Sequence, residues 1–130
     1  MGMVALDPSP AIALLVEDEF LLRMQMAEQL RLAGWTVLEA STGERALSFL
    51  KEQQPIDILI TDVRLAGKLN GLEVAEAFRC TYPDMPVIYA SGNVIENCRL
   101  VPRSVFVSKP FDEAELLETC DRLAGRPSRD

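Results

Sequence analysis

The sequence predicts an α/β fold in which five short parallel strands form one sheet and helices cover both of its faces. Three observations lead there. Short apolar runs recur along the chain as continuous hydrophobic stretches, the pattern of strands buried on both sides. Amphipathic segments of helical period separate them, and such alternation calls for parallel pairing through right-handed crossovers. Charged residues collect where the runs end, on the carboxyl edge where open α/β sheets place their sites.

Ala11-Ile-Ala-Leu-Leu-Val16 is the first strand, and it ends on Glu17 and Asp18. From Phe20 to Ala33 the residues Leu22, Met26, Ala27, Leu30 and Ala33 share one helical face, with Gly34 where a C-cap glycine belongs. Trp35 to Glu39 is the second strand. Ser41-Thr-Gly-Glu44 has the spacing of a capping box and opens a helix with Ala46, Leu47 and Leu50 inward. The third strand, Ile56-Asp-Ile-Leu-Ile-Thr-Asp62, delivers a carboxylate to its tip. A loop and a helix from about Gly71 follow, with Val74, Ala75 and Phe78 inward. Pro86-Val-Ile-Tyr-Ala90 is the fourth strand, ending at Ser91-Gly92, and a short helix with Val94, Ile95 and Cys98 is expected after it. The last strand, Val105-Phe-Val-Ser108, runs into Lys109-Pro110-Phe111. Asp112 then caps a final helix, with Glu115 at its N3 position and Leu116, Leu117, Cys120 and Leu123 inward. Residues 1–10 and 125–130 are expected to be weakly ordered tails around one folded unit, residues 11–124.

Bulk composition removes several functions. A chain of 130 residues can bury the core of one domain, and 48% hydrophobic with 25% charged residues is the balance of a globular protein. The net charge of −7 argues against nucleic acid, which needs a basic stripe, and against an anionic membrane surface. The N-terminal stretch has neither the charge nor the apolar length of a signal or membrane segment, so a cytoplasmic protein is expected. Cys80, Cys98 and Cys120 are widely spaced, form no C-x-x-C pair, and read as small buried hydrophobes on helices. There is no histidine, which removes Ser-His-Asp and Cys-His catalysis, histidine-rich zinc sites, and any role as a phosphohistidine donor.

Glu17, Asp18, Asp62, Ser91 and Lys109 all stand at the carboxyl ends of strands. Singly, each has a plain reading: Asp62 as a cap or turn residue, Ser91 as an ST-turn before Gly92, Phe106 as core. Together they make a chemical set. Each like-charge pair at ~4 Å costs about 1 kcal/mol in water and about 4 kcal/mol at an effective dielectric of ~20. Three converging carboxylates therefore call for a cation, and hard oxygen ligands suit magnesium. Lys109 adds a positive charge and Ser91 a hydroxyl donor. Asp62 becomes a carboxylate nucleophile toward phosphorus, with metal and lysine neutralising the transferring oxygens.

Val16-Glu-Asp-Glu19, Ile60-Thr-Asp-Val63, Ala90-Ser-Gly92 and Ser108-Lys-Pro-Phe111, in that order on successive strands, resemble the receiver domain of bacterial two-component response regulators, of the single-domain, CheY-like kind. The resemblance covers roughly Ala11 to Leu123. It implies the flavodoxin-like (βα)5 sandwich with strand order 2-1-3-4-5. It also implies that Asp62 is the phosphoacceptor. Asp18, Asp62 and the backbone carbonyl of Arg64 would ligate Mg2+, with Glu17 acting largely through water. Ser91 would be the switch hydroxyl, Gly92 would keep access open, and Phe106 would turn inward when Ser91 moves. Lys109 would pair with a phosphoryl oxygen, and the Lys109-Pro110 bond would be cis. Arg64 and Asn93 occupy the family's rate-tuning positions. The implied partners are a histidine kinase or histidine phosphotransfer protein as donor and a downstream protein as target. A homodimer stays open, as does an output domain beyond residue 130.

Three departures from the family pattern stand out. The loop Val63 to Asn70 lacks the usual proline and is one residue longer. Arg64 places a long cation beside the acids, where its plain role is a solvated side chain and its functional one is to tune phosphoryl lifetime by shielding the site or lying over the acids. The stretch from Ser91 to Phe106 is shorter by about one helical turn. Two rivals remain: a degenerate receiver that binds partners without phosphorylation, and an Asp-nucleophile phosphohydrolase. The second wants an acid two residues after the nucleophile, where this chain has Arg64. A nucleotide-binding domain is remote, since no G-x-G-x-x-G or P-loop follows the first strand.

Overall fold

The computed structural model describes residues 11–92, 99–110 and 112–125. Five strands and four helices follow one another in this part of the chain: β1 (Ile12–Val16), α1 (Phe20–Leu32), β2 (Thr36–Ala40), α2 (Gly43–Lys51), β3 (Ile58–Thr61), α3 (Gly71–Thr81), β4 (Val87–Ser91), β5 (Val105–Ser108) and α4 (Glu113–Leu123). All strands pair in parallel in the order β2-β1-β3-β4-β5, the flavodoxin-like arrangement. The expected helix at Val94, Ile95 and Cys98, the rate-tuning position Asn93, Phe111, and residues 1–10 and 126–130 of the two expected tails lie outside the described residues.

Continuous apolar runs become the inner strands because both of their faces are covered. Alternate residues of β1 serve different layers: Ala13 and Leu15 pack with Met26, Leu30 and Leu116 beneath α1 and α4. Leu14 and Val16 pack with Phe49, Val74 and Phe78 beneath α2 and α3. The β3 residues Ile58, Leu59 and Ile60 are fully buried, so truncating any one to alanine is expected to cost roughly 2–5 kcal/mol. Register carries the chemistry into place. Val16 is level with Thr61, and Ser91 with Ser108, so the residues that follow these strands gather at one edge.

Several local expectations need correction. The cap of α2 is Thr42, whose side chain accepts from the Arg45 N–H, so Glu44 falls at N2 and no capping box forms there. The inward face of α2 is Ala46 with Leu47 and Leu50 half-buried against the same core layer, and it also includes the buried Phe49, which the sequence reading left out. A full capping box is instead made at α3, where Asn70 accepts from the Glu73 N–H and the Glu73 carboxylate accepts from the Asn70 N–H. Cys120 is buried as expected, but Cys80 is exposed on the outer face of α3. The second and fourth strands each start and end one residue later than read, because the Trp35 N–H bonds back to the Leu30 carbonyl of the preceding helix end and Ser91 still pairs with β5.

Candidate metal and phosphoryl site

β1 delivers Glu17 and Asp18 as it ends, β3 delivers Asp62, and β5 delivers Lys109. The sheet is extended past Val16 and Thr61 by single bonds: the Glu17 N–H donates to the Ala40 carbonyl, and the Asp62 N–H to the Val16 carbonyl, both at 3.0 Å. These hold the acids in line with the strands they leave. Arg23, one turn into α1, donates to the Glu17 carbonyl at 2.9 Å while pairing with Glu39 at 3.3 Å, and so fixes the acidic turn from behind.

The side chains converge. One carboxylate oxygen from each of Glu17, Asp18 and Asp62 lies within 4.8 Å of the others. Lys109 Nζ donates to Glu17 Oε1 at 2.5 Å and to Asp62 Oδ2 at 2.8 Å. Backbone amides hold three of the other four oxygens: Glu19 N–H to Glu17 Oε2 at 3.0 Å, Arg64 N–H to Asp62 Oδ1 at 3.1 Å, and Ala66 N–H to Asp18 Oδ2 at 3.0 Å. An oxygen-only set of three acids fits a hard divalent cation better than a soft one.

The electrostatics are unequal. Glu17 is 2% exposed, and burial, only partly offset by Lys109, raises its pKa above the ordinary value. Burial pulls Lys109 the other way, but its hydrogen bonds to Asp62 and Glu17 and their charges outweigh it, so its pKa is raised and the ammonium is held charged. The lysine is thus the resident counter-charge of the acid cluster.

Around this centre, Ser91 closes β4 and is buried, with its carbonyl accepting the Lys109 N–H at 2.8 Å. Gly92 is exposed, and a Cβ there would come no nearer than 3.9 Å to Lys109. Phe106 is half-buried against the α2–α3 layer, level with Tyr89. The Lys109–Pro110 peptide bond is cis. The Arg64 side chain is exposed and makes no ion pair among the described residues, in line with the plain reading of a solvated side chain, and its backbone N–H is what engages Asp62.

Two features escaped the sequence reading. Gly71 is tied to the site by space, since a Cβ on it would sit 1.8 Å from the Asp62 carbonyl oxygen. Its signal was present in the Asn70-Gly71 pair with Glu73 three residues after Asn70. Arg79 grips the carbonyls of Met85 (2.6 Å), Pro102 (2.6 Å) and Arg103 (3.2 Å), tying the return into β5 to the end of α3. No sequence pattern announces backbone carbonyls as an arginine's partners.

Residues 13–121 match the response regulator receiver domain. The chain belongs to that family. Among curated relatives, the probable transcriptional regulatory protein TcrX of Mycobacterium tuberculosis is 29% identical over 115 residues, which are 85% of this chain and 48% of TcrX. The sensor kinase CckA of Brucella abortus is 34% identical over 118 residues, 87% of this chain and 12% of that protein. The chain therefore spans about half or less of the length of these relatives. Among solved structures, a receiver protein from Sinorhizobium medicae superposes with a TM-score of 0.83 at 31% identity, covering 89% of this chain and 95% of the other. The receiver domain of the hybrid histidine kinase CckA gives 0.77 at 33% identity, covering 88% and 99%.

Proposed function

We propose that this receiver takes a phosphoryl group onto Asp62 from a phosphohistidine on a histidine kinase or phosphotransfer protein, and uses it to switch a protein-binding surface. The observation that carries the reading is the shared ammonium. Lys109 bridges Glu17 and Asp62 and holds the Asp62 carboxylate in a fixed pose, and the exposed Asp18 completes an acid triad beside it. Magnesium, held by Asp18, Asp62 and the Arg64 carbonyl with Glu17 in support, would supply positive charge to the phosphoryl oxygens.

This chain's residues do the rest. An Asp62 carboxylate oxygen bonds to phosphorus as the donor's P–N bond breaks, and the donor imidazole keeps the electron pair. The Arg64 N–H and Lys109 fix the attacking carboxylate, so little orientation remains to be found. As charge builds on the transferred group, Lys109 can turn from the acid to a phosphoryl oxygen. Ser91 supplies the hydroxyl that responds to that group, Gly92 leaves the approach open, and Phe106, half-buried on the neighbouring strand level with Tyr89, changes its packing. Arg64 and Asn93 set how readily water reaches the acyl phosphate.

The donor's route is supported by the surface of α1. Phe20, Leu21 and Met24 are exposed on its first turns, directly after the acidic turn. Beside them a cavity of about 360 Å³ opens between α1 and α4, with Leu22, Met26, Pro110 and Leu116 on its walls and Lys109 at its edge. Apolar surface next to a charged site suits a protein donor more than a small phosphate ester. No helix among the described residues is long and apolar enough to cross a membrane; the reading itself assigns the domain to the cytoplasm.

Intact mass after incubation with magnesium and a small acyl-phosphate donor tests the reading. Wild type should gain one phosphoryl group and Asp62→Asn none. Absence of uptake in both would leave a phosphorylation-independent binding module. Turnover of a generic phosphomonoester would point to a hydrolase.

A further inference from the structure

We propose that the loop after Asp62 is a positioning device for the exposed acid of the metal site, acting through the Ala66 N–H. The inference rests on the reading of Asp18 as a magnesium ligand and assigns a role to the part of the chain that departs from the family pattern.

Glu17 and Asp62 are immobilised by Lys109 as well as by backbone amides. Asp18 is the exposed member of the triad. A surface carboxylate samples several rotamers, and ordering it for a metal costs entropy at the moment of binding. The Ala66 N–H, 3.0 Å from Asp18 Oδ2, removes that freedom beforehand and leaves the second oxygen available.

The amide is in turn held by a loop braced at three points. Gly67 has φ of 99°, a left-handed conformation that turns the chain back toward α2, and a Cβ there would lie 2.9 Å from Glu44 Oε2. Leu69 lies so close to Gly43 that a Cβ on that glycine would come within 2.7 Å of the leucine Cβ. Asn70 and Glu73 close the capping box that starts α3. The segment Arg64 to Leu69 thus spans from the start of α2 to Asp18. Ala66 is a positioning residue, and Gly67 with Glu44 sets where its amide sits.

Calorimetric titration of the full chain with Mg2+ tests this, using Ala66→Pro, which deletes the donor, and Ala66→Gly, which keeps it. Ala66→Pro should weaken Mg2+ binding about tenfold, the equivalent of ~1.4 kcal/mol, while Ala66→Gly stays within about twofold of wild type. Thermal unfolding in chelator separates this from a general loss of stability, because a purely structural loop would lower the midpoint without moving the Mg2+ affinity of the folded protein. If Ala66→Pro fails to fold, Gly67→Ala displaces the same amide through its backbone and its contact with Glu44, and should weaken binding about threefold. Wild-type affinity in the folded variants would overturn the positioning role while leaving the metal site standing. A wild-type protein that binds no Mg2+ would overturn the site itself, and this inference with it.

Discussion

Replacing Lys109 with methionine keeps most of the apolar stem of the side chain and removes the ammonium, with its charge and its two hydrogen bonds to Glu17 and Asp62. The lysine, Asp62 and Glu17 side chains are 17%, 13% and 3% exposed, so the contacts are largely screened from water. At an effective dielectric of ~20, each contact at 2.5 to 2.8 Å is worth about 6 kcal/mol of gross attraction. Against it stand the cost of burying the ammonium and the repulsion of about 3 kcal/mol or more between acids within 4.8 Å. Removing one partner of a buried pair typically costs 3–5 kcal/mol. Water at the open side of Asp62 and proton uptake by Glu17 bring the expected loss to about 3 kcal/mol. For a domain of this size that is about 10 °C in Tm. The essential part is its dependence on metal: magnesium supplies the same counter-charge, so the deficit should shrink to about 1 kcal/mol in saturating Mg2+. Thermal unfolding of wild type and Lys109→Met, each in chelator and in magnesium, reads all four values. An unchanged midpoint in chelator, or an equal loss under both conditions, would refute the view of Lys109 as the resident counter-charge.

Other expectations follow from single contacts. Gly71→Ala should cost about 3 kcal/mol, since its Cβ would meet the Asp62 carbonyl at 1.8 Å and α3 must move; denaturant unfolding with wild-type stability would contradict the packing. Burial pushes the Cys120 thiol up to about 12, whereas Cys80 is exposed. Alkylation of the native protein near neutral pH should therefore label Cys80 and spare Cys120, and a labelled Cys120 peptide would contradict the core. The raised pKa of Glu17 means that the native state binds this proton more tightly than the unfolded chain. Metal-free wild type should then lose stability relative to Glu17→Gln as pH rises from the ordinary value of 4.5 through the raised one. Parallel stability curves for the two proteins across that window would contradict the assigned burial.

The fold was legible because its strands are continuous apolar runs and its acids stand where those runs stop, so that parallel pairing alone brings Glu17, Asp18, Asp62 and Lys109 to one edge. The inner faces of α1, α3 and α4 followed from helical period. The start of α2 was displaced by one residue because Ser41, Thr42 and Gly43 can each begin a helix, and only the packing of Gly43 beneath Leu69 selects among them. Cys80 looked buried because cysteine usually is, yet its position on α3 faces outward. The hydrogen bond from the Ala66 amide to Asp18 and the grip of Arg79 were not legible. Each depends on where a loop backbone lies, and side-chain identity does not encode that.

The central claim is that the acyl phosphate forms on Asp62. Borohydride reduction after Mg2+-dependent phosphorylation, followed by peptide sequencing, reads the modified acid directly, because a phosphorylated aspartate is recovered as homoserine. The account predicts homoserine at position 62, and none when magnesium is withheld. Homoserine at another acid, or none at all after phosphoryl uptake, would contradict it.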